Sequence, residues 1–379
     1  MAQPTSPTPL KITRIDVYHT PLPYAAGVYH LSSSRTYTTF DATLVRLTTS
    51  TGLTGWGEST PFGGTFIAAH ALGVRAGIAE LAPHILGLDP RRVDRVNEAM
   101  DAALLGHEHA KTAIDVACWD LFGKAVGMPV CELLGGRTGV GLRRMSSLGV
   151  CSAGEMRERV RESRAKGYGG HSIKIDGADP QASADLIAAA VADRVPGEVF
   201  IADANCGLSV EVALRMLRLV PPGLDFVLES PCRTLRETVS LRRRTDVPIL
   251  VDEIATDVES VVQIVAEDVA DGVNLKISKV GGLTKARRVR DICLAAGYTM
   301  SVQDCWGSDV SFAAIVHLAQ TIPERSLRCI LDVRDESTIR IADCEYGVGE
   351  DGSITAPTAP GLGITPRLDV LGEPVVSYS

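Results

Sequence analysis

No stretch of the 379-residue chain approaches the ~20 consecutive apolar residues of a membrane span, so no membrane partner is expected. Positive charge is not in excess. Lys and Arg number 38 against 46 Asp and Glu, a net charge of −8, which argues against a nucleic-acid partner held by phosphate neutralisation. No CxxC pair occurs. The nine cysteines are scattered at 118, 131, 151, 206, 232, 293, 305, 329 and 344, a pattern that suits reduced thiols and a cytoplasmic location rather than a disulfide framework. The start lacks a basic-then-apolar leader: Met1 to Leu10 is rich in Pro, Ser and Thr and reads as a disordered lead-in. No GxGxxG opens a helix, which weighs against a dinucleotide-dependent reductase. What is present is ordinary for a globular protein, with 45% hydrophobic and 22% charged residues. The length allows two or three folding units and a large core.

Three textures follow one another. From Lys11 to about Glu58 the pattern is strand-like, with alternation in Lys11–Tyr18 and Ala42–Leu47 and a turn signal at Thr51-Gly52. From Ile67 to Val126 it is Ala/Leu-rich and helical, stopping at Gly127. Residues 11–135 therefore read as an α+β capping unit. Over 136–340, short β-branched runs alternate with helical stretches. Seven units are clear and Met145-Ser146-Ser147-Leu148 supplies an eighth strand, so the reading is an α/β chain folded as a (β/α)7β-type TIM barrel. Residues 341–379 change texture again and are expected to pack back on the capping unit.

The chemistry lies at the strand ends. Lys174, Asp203, Glu229, Asp252, Lys276, Asp304 and Asp332 follow one another at intervals of 29, 26, 23, 24, 28 and 28, each at or just past the C-terminal end of an apolar run. In a parallel barrel those ends open on one face. Three successive carboxylates, Asp203, Glu229 and Asp252, stand between two lysines. Like charges that close raise one another's pKa unless a cation is present. An all-oxygen set with open positions favours Mg2+, with Mn2+ as the alternative ion. Such an ion could chelate a substrate carboxylate while one lysine removes the neighbouring α-proton, and a lysine beside the ion should have a lowered pKa. Taken singly, Asp203 or Asp252 reads as a helix cap and a strand-end lysine as a solvated rim residue. It is the ordered series that points to catalysis.

The residues that carry a resemblance are Ser172-Ile173-Lys174, Asp203-Ala204-Asn205, Leu228-Glu229-Ser230-Pro231, Val251-Asp252-Glu253, Asn274-Leu275-Lys276, Lys279-Val280-Gly281-Gly282 and Pro360-Gly361-Leu362-Gly363-Ile364. On them the chain resembles the enolase superfamily and, within it, the muconate-lactonizing-enzyme subgroup of the mandelate racemase/muconate lactonizing enzyme family. The resemblance implies Mg2+ ligation by Asp203, Glu229 and Asp252, an acid/base pair of Lys174 and Lys276, and reaction through an enediolate. It also implies a homo-oligomer, dimer or octamer. Gly106-His107-Glu108, Ala110-Lys111 and Trp306-Gly307 are similar to proline-betaine and hydroxyproline-betaine 2-epimerases. Two departures stand out. Ser172 replaces the first Lys of a Lys-x-Lys pair, and Leu331-Asp332-Val333 stands where those epimerases use an aromatic residue. An Asp suits an amine that keeps N–H donors. No histidine lies between Thr299 and Trp306, which disfavours the mandelate-racemase branch.

The expected activity is α-proton abstraction from a small-molecule carboxylate, with racemisation or 2-epimerisation of an amino-acid derivative first. Cycloisomerisation and β-eliminating dehydration are the alternatives, and a non-catalytic barrel binding a small anion is a remote one. The substrate contacts expected are Asn205, Asp304, Trp306, Asp332, Tyr24, Tyr29 and Phe62, the last three on loops Pro21–Tyr37 and Thr60–Phe66 that could form a lid. The plainer alternative is a hairpin packed on its own unit. Trp119 reads as core, His107-Glu108-His109 as a helix start, and Cys305 as a thiol facing the mouth.

Overall fold

The computed structural model describes residues 10–379. The expected lead-in lies outside the described residues except for Leu10, which is buried. An antiparallel sheet of four strands opens the fold, in the order Val376–Tyr378, Ile12–Pro23, Thr39–Thr49, Thr54–Ser59. The last strand of the chain thus closes one edge of the first sheet. Three helices follow, Ala71–Ile85, Val93–Ala103 and Glu108–Val126. Among the described residues no helix is long and apolar enough to cross a membrane.

Eight parallel strands then close into a barrel: Arg144–Leu148, Gly170–Lys174, Val199–Asp203, Val227–Glu229, Ile249–Val251, Gly272–Lys276, Thr299–Gln303 and Leu327–Leu331. Helices of eight to 14 residues cover the first seven crossovers. The eighth strand runs instead into a 3-10 turn, Arg334–Glu336. The barrel is therefore of the (β/α)7β kind. The carboxyl ends of its strands face one way, as parallel pairing requires.

The helix Glu108–Val126 joins the two units. Its residues are buried almost all round, as expected of a helix packed between layers. On the cap side, glycine lets it approach. A Cβ at Gly57 would lie 2.1 Å from the Ala113 carbonyl oxygen and 2.7 Å from the Ala117 nitrogen. Gly57→Ala should therefore destabilise the fold by about 1–3 kcal/mol through overpacking, read as a lower midpoint in urea with an unchanged slope. On the barrel side, Asp115 accepts from Thr284 N at 3.1 Å and Thr284 Oγ1 at 2.5 Å. Glu58, near the end of the cap strand Thr54–Ser59, accepts from Ser308 N at 2.9 Å and Ser311 N at 3.0 Å. It thereby supplies a carboxylate to the start of helix Asp309–Ala319. These buried acids fix the cap over the carboxyl end of the barrel.

Candidate active site

The first lid loop forms a hairpin, Tyr29–Leu31 paired with Arg35–Tyr37, and it reaches the barrel rather than resting on its own unit. The Tyr29 hydroxyl lies 2.7 Å from Ser147 Oγ, Ser32 Oγ donates to Asn205 Oδ1 at 3.1 Å, and Val150 N donates to the His30 carbonyl at 2.9 Å. Phe62 from the second loop and Trp306 from the barrel complete the cover. Trp306 lies 5.6 Å from both Tyr29 and Phe62, centroid to centroid, and stacks on Phe40 at 3.9 Å. Beneath this cover is a small cavity of about 20 Å³. Lys174 and Lys276 line it together with Tyr29, Phe62, Asn205, Asp304 and Trp306.

The two lysines come from the second and sixth strands of the eight, which lie opposite each other around the barrel. Each is buried and each meets a carboxylate. Lys174 Nζ pairs with Asp203 Oδ2 and donates to Ser172 Oγ at 3.3 Å, so the serine that replaces the expected first lysine touches the second. Lys276 Nζ lies 2.6 Å from Asp252 Oδ2 and 4.9 Å from the centre of the Phe66 ring. Burial alone would lower both ammonium pKa values, but Asp203 and Asp252 respectively more than offset it, and both lysines are raised. The lowered lysine pKa expected with a divalent ion present is not what the carboxylates produce by themselves. Asp252 shows the counterpart: burial raises it, yet Lys276 and Lys279 together bring it down to about 2.

Glu229 is different. It lies on the strand between those of Asp203 and Asp252, and its Oε2 is buried with no hydrogen-bond partner. Burial first, then the neighbouring Asp203, pushes its carboxyl well above the ordinary range, with Asp252 adding to the rise. Among the described residues no three Asp, Glu, His or Cys side chains are drawn together as a cage, because ammonium groups take the oxygens a cation would take. The donor set nevertheless fits a hard divalent cation. Three carboxylates come from adjacent strands, and one of them has an orphaned oxygen.

Asp332 and Tyr24 are placed otherwise than expected, and Asp304 lines the cavity but is already hydrogen-bonded. Asp332 is buried and spent: Arg334 Nε and Nη2 each donate to it at 2.9 Å, and Arg144 stands 3.5 Å away, so no oxygen is open to a substrate amine. Asp304 reaches the cavity wall but accepts from Cys305 N at 2.7 Å, Ser311 Oγ at 3.3 Å and Ser278. Burial outweighs these donors and lifts its carboxyl to about 6. Tyr24 stands behind the lining, 5.4 Å from the Tyr29 ring and 6.2 Å from that of Trp306. Cys305 does line the cavity, 4.0 Å from His109 Nε2. Burial pushes the thiol to about 12 and drops His109 to about 3, so the pair is neither thiolate nor base.

Sequence reasoning missed several residues. Lys279 donates to Asp252 Oδ1 at 2.8 Å, although only its motif was noted and no role was drawn from it. Gln303 lines the cavity with an unpartnered Nε2, and strand alternation through Ser301 could have found it. Ser147 carries no charge signal, and Glu336 lies beyond the last strand, where no periodicity applies.

Comparison with known proteins completes the picture. Residues 15–135 match the mandelate racemase/muconate lactonizing enzyme N-terminal domain, and residues 155–370 match the enolase C-terminal domain-like family. The chain is 41% identical to a cis-3-hydroxy-L-proline dehydratase from Roseibium aggregatum, over 98% of this chain and 100% of that protein. A solved chain from Aspergillus oryzae, ascribed to the mandelate racemase/muconate lactonizing enzyme group, is 64% identical with a TM-score of 0.92, covering 97% of this chain and 100% of its own. One from Roseovarius nubinhibens of the same ascription, solved with magnesium, is 50% identical with a TM-score of 0.95 and the same coverage. With both units matched in order and the barrel closed as such enzymes require, the chain belongs to the mandelate racemase/muconate lactonizing enzyme group of the enolase superfamily and is an enzyme of that superfamily.

Proposed function

We propose that this protein removes the α-proton of a small cyclic imino acid of the proline type and, where the ring carries a 3-hydroxyl, expels that hydroxyl as water. The observation that carries the reading is the pair of buried lysines, Lys174 and Lys276, lining one cavity from opposite sides of the barrel. The whole-length relationship to a cis-3-hydroxy-L-proline dehydratase supports dehydration over the racemisation that the sequence alone favoured.

The stereochemistry agrees. In a cis-3-hydroxy acid the hydroxyl and the carboxylate share one ring face, so the α-hydrogen lies on the other. One lysine, as free amine, takes that hydrogen. The electrons of the Cα–H bond move first onto the carboxylate as an enediolate, then form the Cα=Cβ double bond as the Cβ–O bond breaks. The opposite lysine, as ammonium, gives its proton to the departing oxygen, and water leaves beside a cyclic enamine. Asp203, Glu229 and Asp252 would hold the divalent cation, Mg2+ by their chemistry. When bound, it would draw those carboxylates off the lysines and offset charge growing on the substrate carboxylate. Tyr29, Phe62 and Trp306 exclude water from the reacting carbon. Asn205 positions Asp203, donating to it through N at 2.8 Å and Nδ2 at 2.9 Å.

A second reading, 2-epimerisation of an unhydroxylated proline derivative, uses the same opposed lysines, the second returning a proton to Cα. Proton NMR in D2O with Mg2+ separates the readings. Cis-3-hydroxy-L-proline should lose its α- and 3-proton signals to an enamine product, and L-proline should show only deuteration at Cα. If neither compound nor trans-3-hydroxyproline exchanges or reacts, the assignment fails.

A further inference from the structure

An α-amino or imino acid brings a cationic nitrogen as well as a carboxylate, and the site needs an acceptor for it. The carboxylate that sequence pointed to, Asp332, is held by Arg334, whose guanidinium also stacks on Phe312 at 3.8 Å. Asp304 is occupied by Ser278, Cys305 and Ser311. Asp203 and Asp252 belong to the lysines. Glu229 belongs to the carboxylate triad, and Glu253 accepts from Asn205 Nδ2 at 3.2 Å and lines a separate cavity, which leaves Glu336 with an unmatched buried oxygen.

The 3-10 turn after the eighth strand carries the chain back toward the lid. Ala25 N donates to the Glu336 carbonyl at 2.9 Å and Thr338 N to the Pro23 carbonyl at 3.1 Å, so the turn is stitched to the segment bearing Tyr24. The turn sets Glu336 behind Ser147 of the cavity lining, at the seam between the last and first barrel strands. Its Oε1 accepts from Ser147 N at 3.3 Å, while its Oε2 is buried and has no hydrogen-bond partner. Ser147 lines the cavity, and its hydroxyl is 2.7 Å from that of Tyr29. We propose that Glu336 is the specificity residue that receives the protonated nitrogen of the substrate, in the place that Asp332 cannot serve. This rests on the imino-acid reading above and goes beyond it by assigning the nitrogen subsite.

Two further facts agree. Burial, with Asp332 adding to it, raises the Glu336 carboxyl to about 8 against the pull of the Ser147 N–H and Lys174, and a nearby cation would favour its charged form. The aromatic rings of Tyr24 and Tyr29 stand close enough for Glu336 to raise both phenols further, and such rings suit the apolar ring of a proline-like ligand.

The test is binding without dehydration. L-Proline and tetrahydrofuran-2-carboxylate, which has oxygen in place of the ring nitrogen, are titrated calorimetrically into the magnesium-loaded protein. The wild type should prefer proline by roughly 10- to 100-fold, the span of one hydrogen bond to a charged group. Glu336→Gln should erase that preference by weakening proline alone, and Glu336→Asp should keep part of it. If Glu336→Gln fails to fold, Glu336→Asp decides, since its shorter carboxylate should weaken proline and spare the analogue. A preference retained in full by the variants, or absent from the wild type, overturns the assignment. Deuterium exchange at the proline α-carbon, followed on the same samples, tests the reaction separately. A preference without exchange would sink the reaction and leave the nitrogen subsite standing. Exchange without a preference would do the reverse, and a wild type that binds neither compound sinks both.

Discussion

Replacing Lys174 or Lys276 by alanine should reduce dehydration of cis-3-hydroxy-L-proline by about 10²- to 10⁴-fold, the usual contribution of a placed general acid or base. The two losses should differ in kind. Without the lysine on the α-hydrogen face, solvent deuterium should fail to enter Cα and no enamine should form. Without the lysine on the hydroxyl face, deuterium should still enter Cα while elimination stops, because the enediolate still forms but the departing oxygen has lost its proton donor. Two variants with the same profile would refute separate roles on opposite faces. The measurement is made in excess Mg2+ for a structural reason. Lys174→Ala leaves the buried Asp203 without its ion-pair partner, and an uncompensated buried charge costs about 3–5 kcal/mol. Lys276→Ala should be milder in this respect, since Lys279 still donates to Asp252. Melting temperatures of the two variants in EDTA should therefore rank Lys174→Ala below Lys276→Ala.

Glu229→Gln should abolish catalysis without weakening the metal-free fold. Glu229 Oε2 is buried with no partner, and its neighbours Asp203 and Asp252 already hold their ammonium groups. Removing its charge relieves like-charge repulsion, and the amide is of nearly the same size. The wild type should gain about 2.7 kcal/mol of stability from Mg2+ at 100 times its dissociation constant, because only the folded chain presents the three carboxylates together. Glu229→Gln should gain little. EDTA should silence the wild type and added Mg2+ should restore it. A variant whose melting temperature still climbs with Mg2+ as the wild type's does would show that the ion is held elsewhere.

Much of this arrangement was readable from the chain. The alternation of β-branched runs with helical stretches dictated a parallel barrel, since parallel pairing needs a crossover every 25–30 residues or so. The charge that ends each run, from Lys174 to Lys276, then had to collect on one face, and the lysines and carboxylates pair there. The last strand was harder. Asp332 obeys the same spacing, yet Arg334 two residues later turns back on it as a bidentate partner, a contact set by a 3-10 turn rather than by strand period. Glu336 had no pattern to announce it for the same reason. Asp304 was recognised as a strand-end acid, but its donors come from Ser278 and Ser311, 26 residues before it and seven after it.

Local sequence therefore determined the barrel, the order of the ionisable groups around its mouth and the presence of two lysines that flank three acids. These follow from backbone periodicity, which is a property of neighbours along the chain. Tertiary structure alone decided which carboxylates are spent and which are free. It set Asp332 against Arg334, left Glu229 and Glu336 with unmatched oxygens, and brought Tyr29 and Phe62 of the cap over Lys174 and Lys276 of the barrel. Whether a buried charge is paired depends on side chains brought together from distant segments, and no pattern read along the chain encodes those distances.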